Sequence, residues 1–261
     1  MNSAAVMAHP HKLSAGYYLH ALTQETRYEF LSRLRLRAFS LSTIGFPVMF
    51  YLFFGLTNSH GNIATYLIAT YSCFGMIAAC LFGIGVSVSQ ERMQGWLDLK
   101  LASPMPRWTY LTAKIASCAA FAMIIVTILL VLGILFGGVH ITAMQILALY
   151  GVTLAGAVPF SAMGVLIALL VPPNAAPAII NLIYLPMSFA SGLWVPIRYL
   201  PHWMQHFAPV MPAYHYGQLA LAIFGFAQPG AASQHWSALT GFTCLMLGGA
   251  WWIFARSEAR A

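Results

Sequence analysis

Glu91, Arg92, Asp98 and Lys100 crowd one short stretch of this chain, with Gly95 and Trp96 between them. Carboxylate and cationic groups at that density could serve acid–base catalysis, metal binding or the docking of a charged partner. The first two find little support. Gly-x-Ser-x-Gly, His-Glu-x-x-His and the Gly-x-x-x-x-Gly-Lys-[Ser/Thr] phosphate loop are absent from the sequence, so neither a hydrolase centre nor a nucleotide site of that kind is expected. His202 and His206 stand four apart, a helical spacing compatible with a metal ion, but no Cys, Asp or Glu accompanies them. Polar interfacial histidines account for them better, and no bound metal or cofactor is expected. Around the charged cluster, Met93, Trp96, Leu97, Leu99 and Leu101 alternate with the ionisable residues. That pattern suits a short amphipathic helix at about 90–103, ended by Pro104 and Pro106. It fits either a loop anchored at a membrane surface by Trp96 or a helix that docks a partner.

The rest of the chain says what must hold this helix. Hydrophobic residues make up 60% of the sequence and charged residues 7%, too few solvated groups for a soluble surface. Six stretches, about 38–57, 63–88, 110–136, 142–171, 175–195 and 235–255, are long and apolar enough to cross a bilayer, which takes about 20 residues. Helices satisfy their own backbone in lipid, so the expected fold is an all-α polytopic membrane protein with six transmembrane helices. Gly137-Gly138-Val139-His140 separates the third span from the fourth, and Val171-Pro172-Pro173-Asn174 the fourth from the fifth. A disordered tail is expected over 1–13 and a basic amphipathic helix, lying on the membrane surface, over 14–37.

Every Lys and Arg except Arg198 falls on one side of this topology. The positive-inside rule then places both termini and the 90–103 helix in the cytoplasm, with the chain in the inner membrane. The net charge of +7 reads as a topology signal and a contact with anionic lipid, not as a nucleic-acid footprint. The first thirty residues lack the apolar core and cleavage site of a signal peptide. No Asp, Glu, Lys or Arg lies in the middle of a span, so no coupling ion has a binding group there. Uphill movement would need energy from a partner. Asn181 and Ser188, the most polar side chains of the fifth span, would face a substrate path or bond across helices. The segment 197–228 is too apolar for an exposed loop and should fold as short helices dipping into the outer leaflet, turning at Pro209 and Pro212.

Two motifs add a family resemblance. Glu91-Arg92-x-x-Gly95-x-Leu97-Asp98, followed by Ser103-Pro104, Arg107 and Lys114, resembles the inner loop of type-2 ABC exporter permeases. It departs from that pattern at Trp96, where Thr is usual, and at Met93 and Gln94, where charges are common. The run from Leu185 to Ile197, continuing through Leu200-Pro201 and Pro209 to Pro212-Ala213-Tyr214-His215, is similar to the end of the fifth helix in the same family. The resemblance implies a membrane subunit that exports a hydrophobic or amphiphilic substrate, drug or lipid-like. It works with two cytoplasmic ATP-binding subunits, which hold the ATP and Mg, and a second permease subunit, itself, paired through the first and fifth helices. It assigns ATPase coupling to Glu91, Arg92, Gly95, Trp96 and Asp98. It assigns an outer gate to Pro196, Pro201, Pro209 and Pro212, and the dimer interface or substrate path to Asn181, Ser188, Ser191, Gly192 and Trp194. A passive channel or a membrane assembly scaffold without ATPase is the rival reading.

Overall fold

The computed structural model describes residues 15–57, 62–102 and 107–258, among which all regular structure is helical. The expected tail over 1–13 and the pair Pro104 and Pro106 lie outside those residues. Helix α1 (Ala15–Arg35) is followed by α2 (Arg37–Phe50), and the two meet at an elbow on Leu36. The buried Ser40 hydroxyl fixes that elbow by donating to the carbonyls of Leu34 at 2.9 Å and Leu36 at 3.0 Å. Helix α2 continues as a π-helical stretch over Tyr51–Leu56, one turn after Pro47, whose ring nitrogen has no proton to give the ladder.

Helix α3 (Asn62–Cys80) is the axis of the molecule: from Leu67 to Cys80 every residue is buried. It passes through a second π-helical stretch, Leu81–Val86, into α4 (Ser87–Met93). The chain then turns at Gln94-Gly95 into α5 (Trp96–Ala102). The expected single helix at 90–103 is therefore two. Gly95 has φ +73°, a left-handed conformation that only glycine adopts without strain, and it ends α4 there.

Helix α6 (Arg107–Phe136) returns along α1 and α3, and α7 (Ala143–Ala155) starts from a capping box between Thr142 and Gln145. Helix α8 (Ala157–Leu170) follows after a break at Gly156, where Pro159 cannot donate to the preceding turn. Next come α9 (Ala176–Ala190), a 3₁₀ turn at Ile197–Tyr199, α10 (His202–Phe207), α11 (Pro212–Ala222) and α12 (Ala232–Glu258). Among the described residues four helical runs are long and apolar enough to cross a membrane: Arg37–Leu56, Asn62–Met93, Trp108–Phe136 and Ala143–Leu170. Helix α9 is apolar but shorter. The chain is thus a multi-pass membrane protein, with α5 at one end of the bundle and the start of α3, the 3₁₀ turn and the end of α11 at the other.

Candidate functional site

Three residues of α1 spaced by four, Glu25, Glu29 and Arg33, share one face of that helix and turn it toward the bundle. Opposite them stands Lys114 of α6, fully buried. Its ammonium has three protons and three partner groups: Glu29 at 2.9 Å, Glu91 at 2.7 Å and the Ser87 hydroxyl at 3.2 Å. Arg33 donates to Glu29 at 3.2 Å, and at its other nitrogen to Cys118 Sγ at 2.9 Å and Ser117 Oγ at 3.3 Å. The guanidinium fits because residue 83 is glycine: a Cβ there would stand 2.8 Å from Cys118 Sγ and 3.1 Å from Arg33 Nη1. Burial alone would raise the pKa of Glu29, but Lys114 and Arg33 outweigh it and hold the carboxyl below its ordinary value. Tyr110 donates its hydroxyl to Glu91, completing the second carboxylate.

This network holds the amphipathic helix in place. Lys100 of α5 donates to Glu25 at 2.8 Å and to Glu29 at 3.2 Å, and lies over the Tyr110 ring at 5.0 Å. One ionic cluster thereby joins α5, α1, α4 and α6. Leu97 packs inward against the core, whereas Trp96, Leu99 and Met93 of the preceding helix are left 55%, 69% and 56% exposed. The short helix thus presents an apolar ridge outward and is pinned to the bundle from behind by buried charge. Arg92 serves the bundle differently. It donates to the carbonyls of Leu169 at 2.9 Å and Val171 at 3.4 Å, capping the C-terminal end of α8, where a cation is favoured. Of the residues assigned to coupling, then, Gly95 makes the corner, Trp96 faces outward, Glu91 and Arg92 hold α4 to its neighbours, and Asp98 lies on α5. Glu29, Lys100 and Lys114 are the partners the sequence did not pair, because Glu29 and Lys114 lie 85 positions apart.

A second site lies midway along the bundle. Ser42, Thr43, Phe46, Pro47 and Phe50 of α2, Phe74 and Ala78 of α3, Phe82, Asn181, Tyr184 and Leu185 of α9 and Trp194 enclose a cavity of about 240 Å³. Its aromatic wall is ordered by ring contacts: Phe74 stacks on Tyr184 at 4.8 Å and Trp194 meets Phe50 at 5.2 Å. The Tyr184 hydroxyl is spent on the Phe74 carbonyl at 3.0 Å, and Ser42, Thr43 and Asn181 are the other polar side chains of the lining. Such a lining holds apolar or amphiphilic molecules. Of the other residues assigned to interface or path, Ser188 is fully buried. Ser191 is 3% exposed, with its hydroxyl on Met211 Sδ at 3.4 Å, and Gly192 is buried against Ile197. Ser191 and Gly192 thus pack the end of α9 onto the segment that follows it.

That segment folds back into the bundle. Pro196 and Pro201 immediately precede a helical turn, Pro209 sits in a 3₁₀ turn at Ala208–Val210, and Pro212 opens α11. Helix α11 then packs on α3, α7 and α12 with Tyr216, Leu219 and Ala220 buried. His215 ties two pieces of this hairpin to α12, with Nε2 on the Pro209 carbonyl at 2.8 Å and Nδ1 on His235 Nδ1 at 2.9 Å.

Comparison with known proteins agrees with this architecture. Residues 20–224 match the family described as ABC-2 type transporter. The chain is 26% identical over 205 residues to the putative transport permease YvfS of Bacillus subtilis, covering 76% of this chain and 83% of that one. It is 28% identical over 145 residues to the probable multidrug ABC transporter permease YbhR of Escherichia coli, covering 53% of this chain and 38% of that relative's length. A match across most of the chain, joined to the spans, the short charged helix and the folded-back hairpin, places this protein in the ABC-2 type transporter family, as a type-2 permease subunit of an ABC transporter.

Proposed function

We propose that this chain is the membrane subunit of an ATP-driven exporter, moving a hydrophobic or amphiphilic substrate outward with energy from a separate ATPase. The observation that carries the reading is the ridge of Met93, Trp96 and Leu99, exposed at the end of a bundle to which Lys100 ties it through Glu25 and Glu29. In this reading two copies pair through α2 and α9, each bound to one ATP-binding subunit that supplies ATP and Mg. The spans number six, with α9 and α12 as the fifth and sixth, and both termini are cytoplasmic in the inner membrane. Closure of the ATPases pushes α5; the ionic cluster passes the push to α1 and α6; and the aromatic cavity, whose walls come from α2, α3 and α9, changes shape around its occupant. The word multidrug in one relative's name is in keeping with an apolar cavity of this kind.

The test is purification in mild detergent from the native host, with mass spectrometry of what accompanies the chain. A stoichiometric subunit with a phosphate loop supports the reading; a chain that comes out alone, with transport indifferent to ATP, overturns it in favour of a passive pore. A W96A/L99E variant is expected to lose at least about tenfold in ATPase capture, as anchor residues at interfaces do. Its thermal stability should stay within about 0.5 kcal/mol, because both side chains face outward.

A further inference from the structure

At the end of the bundle opposite α5, Tyr66, Pro196, Arg198, Gln218, Gly225 and Gln228 line a cavity of about 280 Å³ that differs in character from the aromatic one. Three observations meet there. First, Arg198 is exposed at the rim, and between Asp98 and Glu258 the sequence holds no Asp or Glu that could neutralise it. Its guanidinium lies 5.0 Å from the centre of the Tyr199 ring, a contact that orients the group and leaves its charge uncompensated. Secondly, Gln218 is only 3% exposed, yet a glutamine is costly to bury among apolar helices unless its amide is used. Its Oε1 accepts the backbone N–H of Gln228 at 2.7 Å. A backbone N–H can only donate, so the amide orientation is fixed and the NH₂ is left as the group available to the cavity. Thirdly, the Tyr66 hydroxyl, donated to the Gly192 carbonyl at 2.9 Å, pins the opposite wall to the end of α9 and gives the cavity a rigid side.

A cation without a counter-charge and a fixed amide donor lining one recess are the chemistry that recognises an oxyanion. We infer that this cavity binds the acidic head, carboxylate or phosphate, of an amphiphile. That it is where substrate is received on leaving rests on the exporter reading above; that it binds an oxyanion does not.

The experiment is a binding titration on the purified full-length chain in zwitterionic nanodiscs, with no ATPase present. The probes are dodecyl phosphate, inorganic phosphate and dodecyltrimethylammonium. Dodecyl phosphate should bind saturably and R198A should weaken it about tenfold or more, the effect of losing a charge-assisted hydrogen bond. R198K should restore most of the affinity. The cationic amphiphile should not compete. If inorganic phosphate competes with similar affinity, the site takes free anions as well; if only dodecyl phosphate binds, it reads head and chain together. Either result sustains an oxyanion site. Equal binding of dodecyl phosphate by wild type and R198A, or equal competition by the cation, would overturn it. Arg198 is exposed, so R198A should fold, and because the assay contains no ATPase its outcome is independent of whether the chain works as an exporter.

Discussion

Lys114→Met is expected to destabilise the protein by about 3–5 kcal/mol, the cost of leaving buried charges without their partner. Lys114 is fully buried and satisfies Glu29 and Glu91 at once, with Ser87 as the third acceptor. Methionine fills the same volume but leaves two carboxylates facing an apolar side chain, with Arg33 and Lys100 the cations remaining to Glu29. A loss of that size in a chain of this length should lower the unfolding midpoint in detergent by roughly 10 °C. Adding E29Q should return part of the loss, because removing both members of a buried pair costs less than removing one. An unchanged midpoint in K114M would mean that the cluster is solvated and holds nothing together.

The same cluster sets a pH window. Glu29 titrates below its ordinary 4.5 in the folded protein, so its contribution is complete above that value and is lost as pH falls through the depressed one. Lys100 works in the other direction. Burial would lower its pKa, but Glu25 and Glu29 raise it above 10.5, so its contribution is complete below that value and disappears as pH rises through the raised one. The midpoint should therefore be level between these limits and fall on both sides. K100M should remove the alkaline fall while leaving the acid one.

The second large effect is expected at Gly156. A Cβ at that position would stand 2.3 Å from Tyr216 Cζ and 2.5 Å from its hydroxyl oxygen. Tyr216 is 1% exposed and donates to the Thr153 carbonyl at 3.1 Å, so its ring has nowhere to swing. Gly156→Ala should cost about 1–3 kcal/mol in overpacking and about 1 kcal/mol more for the hydrogen bond. The damage falls on α11, which Tyr216 seats against α7, so the folded-back hairpin should become the first segment open to proteolysis. A G156A/Y216L double variant should be no less stable than Y216L alone, since the clash leaves with the ring. Strict additivity of the two changes would show that the close approach is not what makes residue 156 a glycine.

Much of the fold is written locally. Apolar length against the thickness of a bilayer makes the chain an all-helical polytopic membrane protein, and it needs no knowledge of neighbours to be read. The two motifs around Glu91 and Leu185 were enough to carry the family. The corner at Gly95 was legible as a motif glycine but not as a break, because a left-handed φ leaves no mark on composition. The folded-back hairpin was legible in outline from its prolines, which set where short helices begin, while its burial against α3 and α12 was not.

What the sequence determined by itself, then, is an all-helical polytopic membrane protein and the family it belongs to, because transfer into a bilayer depends on the side chains of one segment at a time. What only the tertiary structure decided is the pairing: Glu29 with Lys114 and Lys100, Arg33 against Gly83, and Tyr216 against Gly156. Each joins residues far apart in the chain through distances of a few ångströms. Such contacts are selected by how helices pack, and helix packing depends on the shapes of two surfaces at once.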